Sequence, residues 1–131
     1  MKHLLVSTNR DFFSALENAG LTLSQIKCIQ VLEDAGEPLA VGAVSDRLGL
    51  SMPAVSRAVD QLVQRGEVKR EEDVRDRRSK LLSVTARGRR SYDRLVAIRY
   101  AGVRRYVSGL SDDERAALGA ALEPLTKELR P

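Results

Sequence analysis

The chain has 131 residues and a mass of 14.5 kDa, enough for one domain with some helical length to spare, and its 43% hydrophobic and 31% charged residues describe a globular protein. One cysteine (Cys28) and one histidine (His3) leave no intramolecular disulfide and no Cys/His zinc site, and no metal or cofactor is expected. No apolar run approaches the roughly 18 residues of a membrane span, and Leu4-Leu5-Val6 is too short for the apolar part of a signal peptide, so a cytoplasmic location with no membrane partner is expected.

The formal charge of +4 is unevenly placed: residues 1–50 hold 4 basic and 6 acidic side chains, residues 51–90 hold 11 and 6, and residues 91–131 hold 7 and 6. Within 75–90 stand Arg75, Arg77, Arg78, Lys80, Arg87, Arg89 and Arg90 against Asp76 alone. So local an excess points to a polyanion. All five aromatics (Phe12, Phe13, Tyr92, Tyr100 and Tyr106) lie outside this segment. Readers of single strands and RNA stack bases on rings beside their basic groove, so double-stranded DNA is the better match.

In chain order, residues 1–19 read as a helix with Leu5, Phe12, Phe13 and Leu16 partly in register, broken at Ala19-Gly20. Thr22-Leu23-Ser24-Gln25 has the spacing of a capping box and opens a helix to about Asp34, which Ala35-Gly36 ends. Residues 38–41 are a short extended piece at most. A short helix over about 42–48, with Val44 and Leu48 one turn apart, stops at Gly49. Ser51 caps the next helix and Pro53 fits its first turn, where a missing N–H costs nothing. That helix carries Val55, Ala58, Val59 and Leu62 on one stripe to about Arg65, and Gly66 stops it.

Two helices joined by a tight Gly-containing turn form a helix-turn-helix pattern. Strands at 68–71 and 80–84 follow, joined by a charged loop from Glu72 to Ser79. A hairpin with a basic tip in that place makes the unit a winged helix. Thr85 then caps a helix over 86–107, about 33 Å long and more than so small a winged helix needs for its own core. Its stripe is Tyr92, Leu95, Val96, Val103, Tyr106 and Val107. Ser111-Asp112-Asp113-Glu114 is a second capping box, opening a helix with Leu118, Ala121, Leu122, Leu125 and Leu129 turned inward. The expected fold is mainly α with a small β-hairpin wing.

With its elements in this order the sequence resembles the MarR family of transcription regulators from Leu21 onward. The resemblance rests on Leu21-Thr22-Leu23-Ser24-Gln25, Val41 to Leu50, Ser51 to Leu62, Arg65-Gly66, Asp73-Val74-Arg75-Asp76-Arg77-Arg78, and Ser83-Val84-Thr85 with Gly88 beyond. Glu67 departs from it, standing where the family places an apolar residue, as does Ala40, where a hydroxyl cap is common. The resemblance implies a homodimer, with residues 21–85 as the winged head and residues 1–20 and 86–131 as dimerisation helices, among them Leu5, Phe12, Tyr106, Leu118, Leu122 and Leu125. Two long amphipathic helices at the end of a small domain independently call for something to cover their apolar stripes.

A recognition helix needs small or polar residues near its N-terminus, so that backbone can approach the major groove. Ser51, Pro53, Ala54, Ser56, Arg57 and Gln61 meet that need. Arg57 suits a bidentate guanine contact, Ser56 a hydrogen bond and Ala54 a thymine methyl, while Asp60 is better placed to pair with a neighbouring Arg. In the wing the resemblance places Arg78 in the minor groove with Asp76 holding it. Arg75 is a rival for that role, and Arg77 and Lys80 suit phosphates. The resemblance further implies a ligand-responsive repressor with a small aromatic effector between the dimer helices and the head. A redox variant would use Cys28, although a buried Cys behaves as a small hydrophobe. The alternative reading is a winged-helix adaptor or antagonist that works through protein contacts without DNA. No Ser/His/Asp, Cys/His, paired-carboxylate or Gly-rich phosphate-loop spacing is present, so no enzymatic activity is expected.

Overall fold

The computed structural model describes the backbone of residues 2–128 and the side chains of residues 9–126. Six helices and three strands follow in the order α1 (Lys2–Ala19), α2 (Leu23–Ala35), β1 (Leu39–Ala40), α3 (Val41–Leu48), α4 (Met52–Gln64), β2 (Val68–Glu72), β3 (Lys80–Val84), α5 (Ala86–Ser108) and α6 (Asp112–Glu128).

Both capping boxes form. The Gln25 N–H donates to Thr22 Oγ1 at 3.2 Å while Gln25 Oε1 accepts from the Thr22 N–H at 2.8 Å, and Ser111 and Glu114 exchange the same pair at 3.2 and 2.8 Å. The Ser111 N–H and hydroxyl hold the Glu114 carboxyl below its ordinary pKa. Ala40, at the start of α3, has no side-chain oxygen to offer, and the first turn there goes without a side-chain cap.

The extended piece at 39–40 becomes a third strand. Leu39 pairs with Leu82 and Ala40 with Leu81, while β2 runs antiparallel to the other side of β3 from Val68↔Val84 to Glu72↔Lys80. The sheet order is therefore β1-β3-β2. Two-residue pairing leaves almost no periodicity to read, which is why the sequence shows only an extended segment.

The core lies under this sheet. Ile26, Ile29 and Leu32 of α2, Val44 of α3, Val55, Val59 and Leu62 of α4, and Val68 and Leu82 of the sheet close on one another. Leu16 of α1 and Leu95 of α5 join the same cluster, as does Leu21, so α1 and α5 are rooted in this core. Each buried aliphatic side chain contributes about 1.5–3 kcal/mol relative to exposure. Beyond that root the arms separate from the head. Along α6, Leu118 is half-buried and Ala121, Leu122 and Leu125 are exposed within one chain. The inward-facing stripe expected of α6 finds no core to face; Leu129 lies outside the described residues.

One close approach fixes where α5 begins. A Cβ on Gly88 would stand 2.1 Å from the Glu67 carbonyl oxygen and 2.9 Å from Val84 Cγ1, so only glycine lets the helix lie against the start of β2. Gly88→Ala is expected to destabilise the fold by about 2 kcal/mol through overpacking, seen as a lower urea midpoint with an unchanged slope.

Candidate nucleic-acid interface

Helix α4 and the β2–β3 hairpin flank a concavity of about 440 Å³ whose wall includes Met52, Ser56, Asp60, Arg70, Arg78 and Lys80. The Ala54 N–H reaches Ser51 Oγ at 3.4 Å, a long cap bond that leaves this end of α4 open. Ser51, Pro53 and Arg57 are exposed, whereas Ala54 and Ser56 are half-buried. Met52, which sequence reasoning passed over, is 50% exposed at the same end. Its signal was available: it stands one turn before Ser56, on the face away from the Val55–Val59 stripe.

Gln61 is engaged elsewhere. Its Oε1 accepts from Gln25 Nε2 at 2.6 Å, which ties α4 to the capping box of α2. Asp60 pairs with Arg70 of β2, Oδ1 to Nη2 at 2.6 Å, across the floor of the concavity. The sequence indicates an arginine partner for Asp60 without saying which, because only the folded hairpin brings Arg70 under α4.

The wing tip is held by two aspartates. Asp73 Oδ1 accepts from the Arg75 N–H at 2.9 Å, and Asp76 Oδ1 from the Arg78 N–H at 3.0 Å. Backbone bonds from Asp73 N–H to the Ser79 carbonyl (3.1 Å) and from Ser79 N–H to the Asp76 carbonyl (2.9 Å) close the tip. These are Asx-type turns, whose signature is an Asp two residues before the donor. The Asp73-x-Arg75 and Asp76-x-Arg78 spacing carries it, and sequence reasoning used only the second. Asp76 thus engages Arg78 through its backbone, leaving the guanidinium free to reach outward.

Ion pairing sorts the basic residues of the centre. Arg65, Lys69, Arg70, Lys80 and Arg89 hold carboxylates, while Arg57, Arg75, Arg77 and Arg78 have no ion pair among the described residues. Lys80 bonds Glu72 across the hairpin at 2.8 Å and holds that carboxyl below its usual pKa. These four arginines stand on the two elements that flank the concavity, whereas Arg87 and Arg90, also without an ion pair among the described residues, stand on α5.

The residues expected to make dimer contacts divide. Tyr106, Leu122 and Leu125 are exposed, and Leu118 is half-buried. Phe12 is half-buried, edge-on to Phe13 at 5.8 Å and under the Arg99 guanidinium at 5.7 Å. Phe13, Tyr100 and Val103 are exposed as well. The Leu5 side chain lies outside the described residues.

This arrangement of a three-helix head, a β1-β3-β2 sheet and long flanking helices has close counterparts. Over residues 19–79 the chain matches the model of the MarR family. Its winged head is similar to that of the MarR family. Among curated relatives it is 29% identical over 104 residues to the HTH-type transcriptional repressor MdtR of Bacillus subtilis, covering 79% of this chain and 66% of MdtR, so it spans about two thirds of that relative's length. Among solved structures it superposes on YusO of Bacillus subtilis with a TM-score of 0.80 at 25% identity, covering 96% and 89% of the two chains. On the MepR–DNA complex of S. aureus the TM-score is 0.79 at 21% identity, with 98% and 96% covered, a likeness of fold. None of its helices is long and apolar enough to cross a membrane among the described residues.

Cys28 is fully buried against Ile29 and Leu32, and that burial pushes its thiol up to about 11. The reactive thiolate is then on the order of one part in ten thousand at pH 7. In the folded protein Cys28 is expected to resist iodoacetamide at pH 7.5 at least about 100-fold longer than in guanidinium, measured by mass spectrometry.

Proposed function

We propose that this protein is a DNA-binding transcription regulator that acts as a homodimer on a near-palindromic duplex site. The observation that carries the reading is the set of four exposed, unpaired arginines on α4 and the adjoining wing. In water, exposed guanidiniums without a carboxylate partner are free to neutralise phosphates or read base edges. Arg57, one turn into α4, is placed for a guanine in the major groove, with Ser56 and Ala54 beside it. Arg78, braced through its backbone by Asp76, probes the minor groove; Arg75 flanks it and Arg77 meets phosphate. Repression by occupancy of the duplex follows the description of MdtR as a repressor.

The homodimer is supported by the apolar surface left uncovered on the arms. Tyr100, Val103 and Tyr106 of α5 and Leu122 and Leu125 of α6 are each about half exposed, a density of large apolar groups that a lone soluble chain rarely presents. We assign residues 21–85 to the head and residues 1–20 and 86–131 to the arms that a second copy covers. A cavity of about 130 Å³ where arms and head meet, lined by Phe12, Leu23, Ile26, Tyr92, Leu95 and Arg99 among others, suits a small aromatic effector, with Arg99 offering charge to an acidic group. Burial and the nearby Asp34 hold the Tyr92 hydroxyl above its ordinary pKa, so it stays neutral there and able to donate.

Selection of bound duplexes from a random pool is expected to recover a two-fold symmetric site with half-sites about one helical turn apart. Recovery of unrelated sequences, or of none, overturns the reading and favours a protein partner. On the recovered site, Arg78→Ala is expected to lower affinity by about 10- to 100-fold and to change the preference for A·T-rich flanks. Lys80→Ala, which loses a side chain already paired with Glu72, should cost about threefold with no change in sequence preference. Equal losses in a gel-shift titration would remove Arg78 from the minor groove.

A further inference from the structure

We propose that Arg65, Glu67 and Ser91 form a polar joint that fixes the angle of each reading head on its arm helices, and so sets which half-site spacing the protein accepts. The proposal rests on the two-headed reading above. Arg65 is the C-cap of α4, the helix that would lie in the groove. Its guanidinium donates three ways: Nε to Glu67 Oε2 at 2.8 Å, Nη2 to the Ala19 carbonyl at 2.8 Å and Nη1 to the Gly20 carbonyl at 3.2 Å. The end of the recognition helix therefore caps the end of α1. The other oxygen of Glu67 accepts from the Ser91 hydroxyl of α5 at 2.8 Å. Arg65 thus joins α4 to α1 directly and, through the Glu67 carboxylate, to α5.

The surroundings make these bonds the ones that decide orientation. Between α1, α5 and the Arg65–Glu67 segment lies a cleft of about 490 Å³. Apolar side chains do not fill this side of the junction, and non-directional packing cannot hold an angle there. A planar guanidinium has donors in fixed directions, so its three acceptors define an orientation and not merely a separation. The Glu67 side chain is 2% exposed, which shields the joint from salt. Another polar tie between arm and head, the fork of Arg89 on Glu33, is on an arginine side chain 59% exposed and is screened accordingly. Arg65 and Glu67 are positioning residues, acting on DNA only through the helix that they orient.

The test uses the symmetric duplex recovered by selection, a version with one base pair inserted at its dyad, and a duplex with a single half-site. The insertion moves one half-site by about 3.4 Å and turns it by roughly 35°. The unaltered protein is expected to bind the inserted duplex about 30-fold more weakly. Glu67→Ala should narrow that gap to about threefold while its single half-site affinity stays unchanged, a pattern that general destabilisation does not give. Glu67→Gln keeps the shape and can still accept from Arg65 and donate to Ser91, so it should restore the full discrimination. Should Glu67→Ala fail to melt cooperatively, Ser91→Ala, which removes a single hydroxyl, carries the test, and a reduced gap supports the joint. Unaltered discrimination in every folded variant overturns it. Failure of the two-headed reading shows separately, as an unaltered protein that selects no symmetric duplex or is indifferent to the insertion, and the joint falls with it.

Discussion

Burying a carboxylate constrains everything near it. An ion taken out of water loses several kcal/mol of solvation, and the loss is tolerable only where its oxygens are fully partnered. Glu67 meets that demand with Arg65 on one oxygen and Ser91 on the other. Its backbone is committed as well: its N–H bonds the Leu62 carbonyl and its carbonyl accepts from Thr85. Gly66, at φ +73°, makes the turn that brings Arg65 and Glu67 to the same side, and Gly88 lets α5 touch the Glu67 carbonyl. Three helices and the wing's first strand are located by three consecutive residues. An apolar residue at position 67 would fill the space and leave Arg65 and Ser91 without this partner.

What the sequence shows well is what short-range chemistry decides. Thr22 with Gln25, Ser111 with Glu114, Ser51 before Pro53, and glycines at 20, 36, 49 and 66 each act within a few residues, so helix ends fall where those residues stand. The period of Val55, Ala58, Val59 and Leu62 marks the inner face of α4 for the same reason. What escapes is whatever needs two distant segments. The pairing of Leu39 with Leu82, Gln25 with Gln61 and Asp60 with Arg70 each joins positions at least ten residues apart, and no local spacing announces them. Glu67 is the instructive failure. In sequence it shows only as an acid where the resemblance calls for an apolar residue; only the fold shows that it lies inside and which groups partner it.

The same distinction sharpens the electrostatics. Formal charge treats the eleven basic residues between 51 and 90 alike. Pairing divides them into structural cations, which hold carboxylates and are spent within the chain, the free arginines of α4 and the wing, and Arg87 and Arg90 on α5. Asp60 and Glu72 lie close to the concavity and take up Arg70 and Lys80 there, so the positive field concentrates at Arg57 and the wing tip rather than spreading along the hairpin. A smaller, better-placed set of charges reads sequence better than a broad basic face, because phosphate attraction raises binding to all duplexes alike.

Rigidity completes that argument. An arginine side chain loses up to about 2 kcal/mol of rotamer freedom on being fixed, and a loop that carries it adds its own ordering cost. The wing tip meets part of this cost before any partner arrives, since Asp73 and Asp76 fix the backbone of Arg75 and Arg78 and the Ser79 bonds close the turn. The junction at Glu67 does the same on the scale of the whole head, holding α4 against α1 and α5 by directional bonds. Binding energy at the interface can then go into contacts rather than into ordering the protein. On the proposed reading, selectivity for a site depends on residues that never touch it, Glu67 among them.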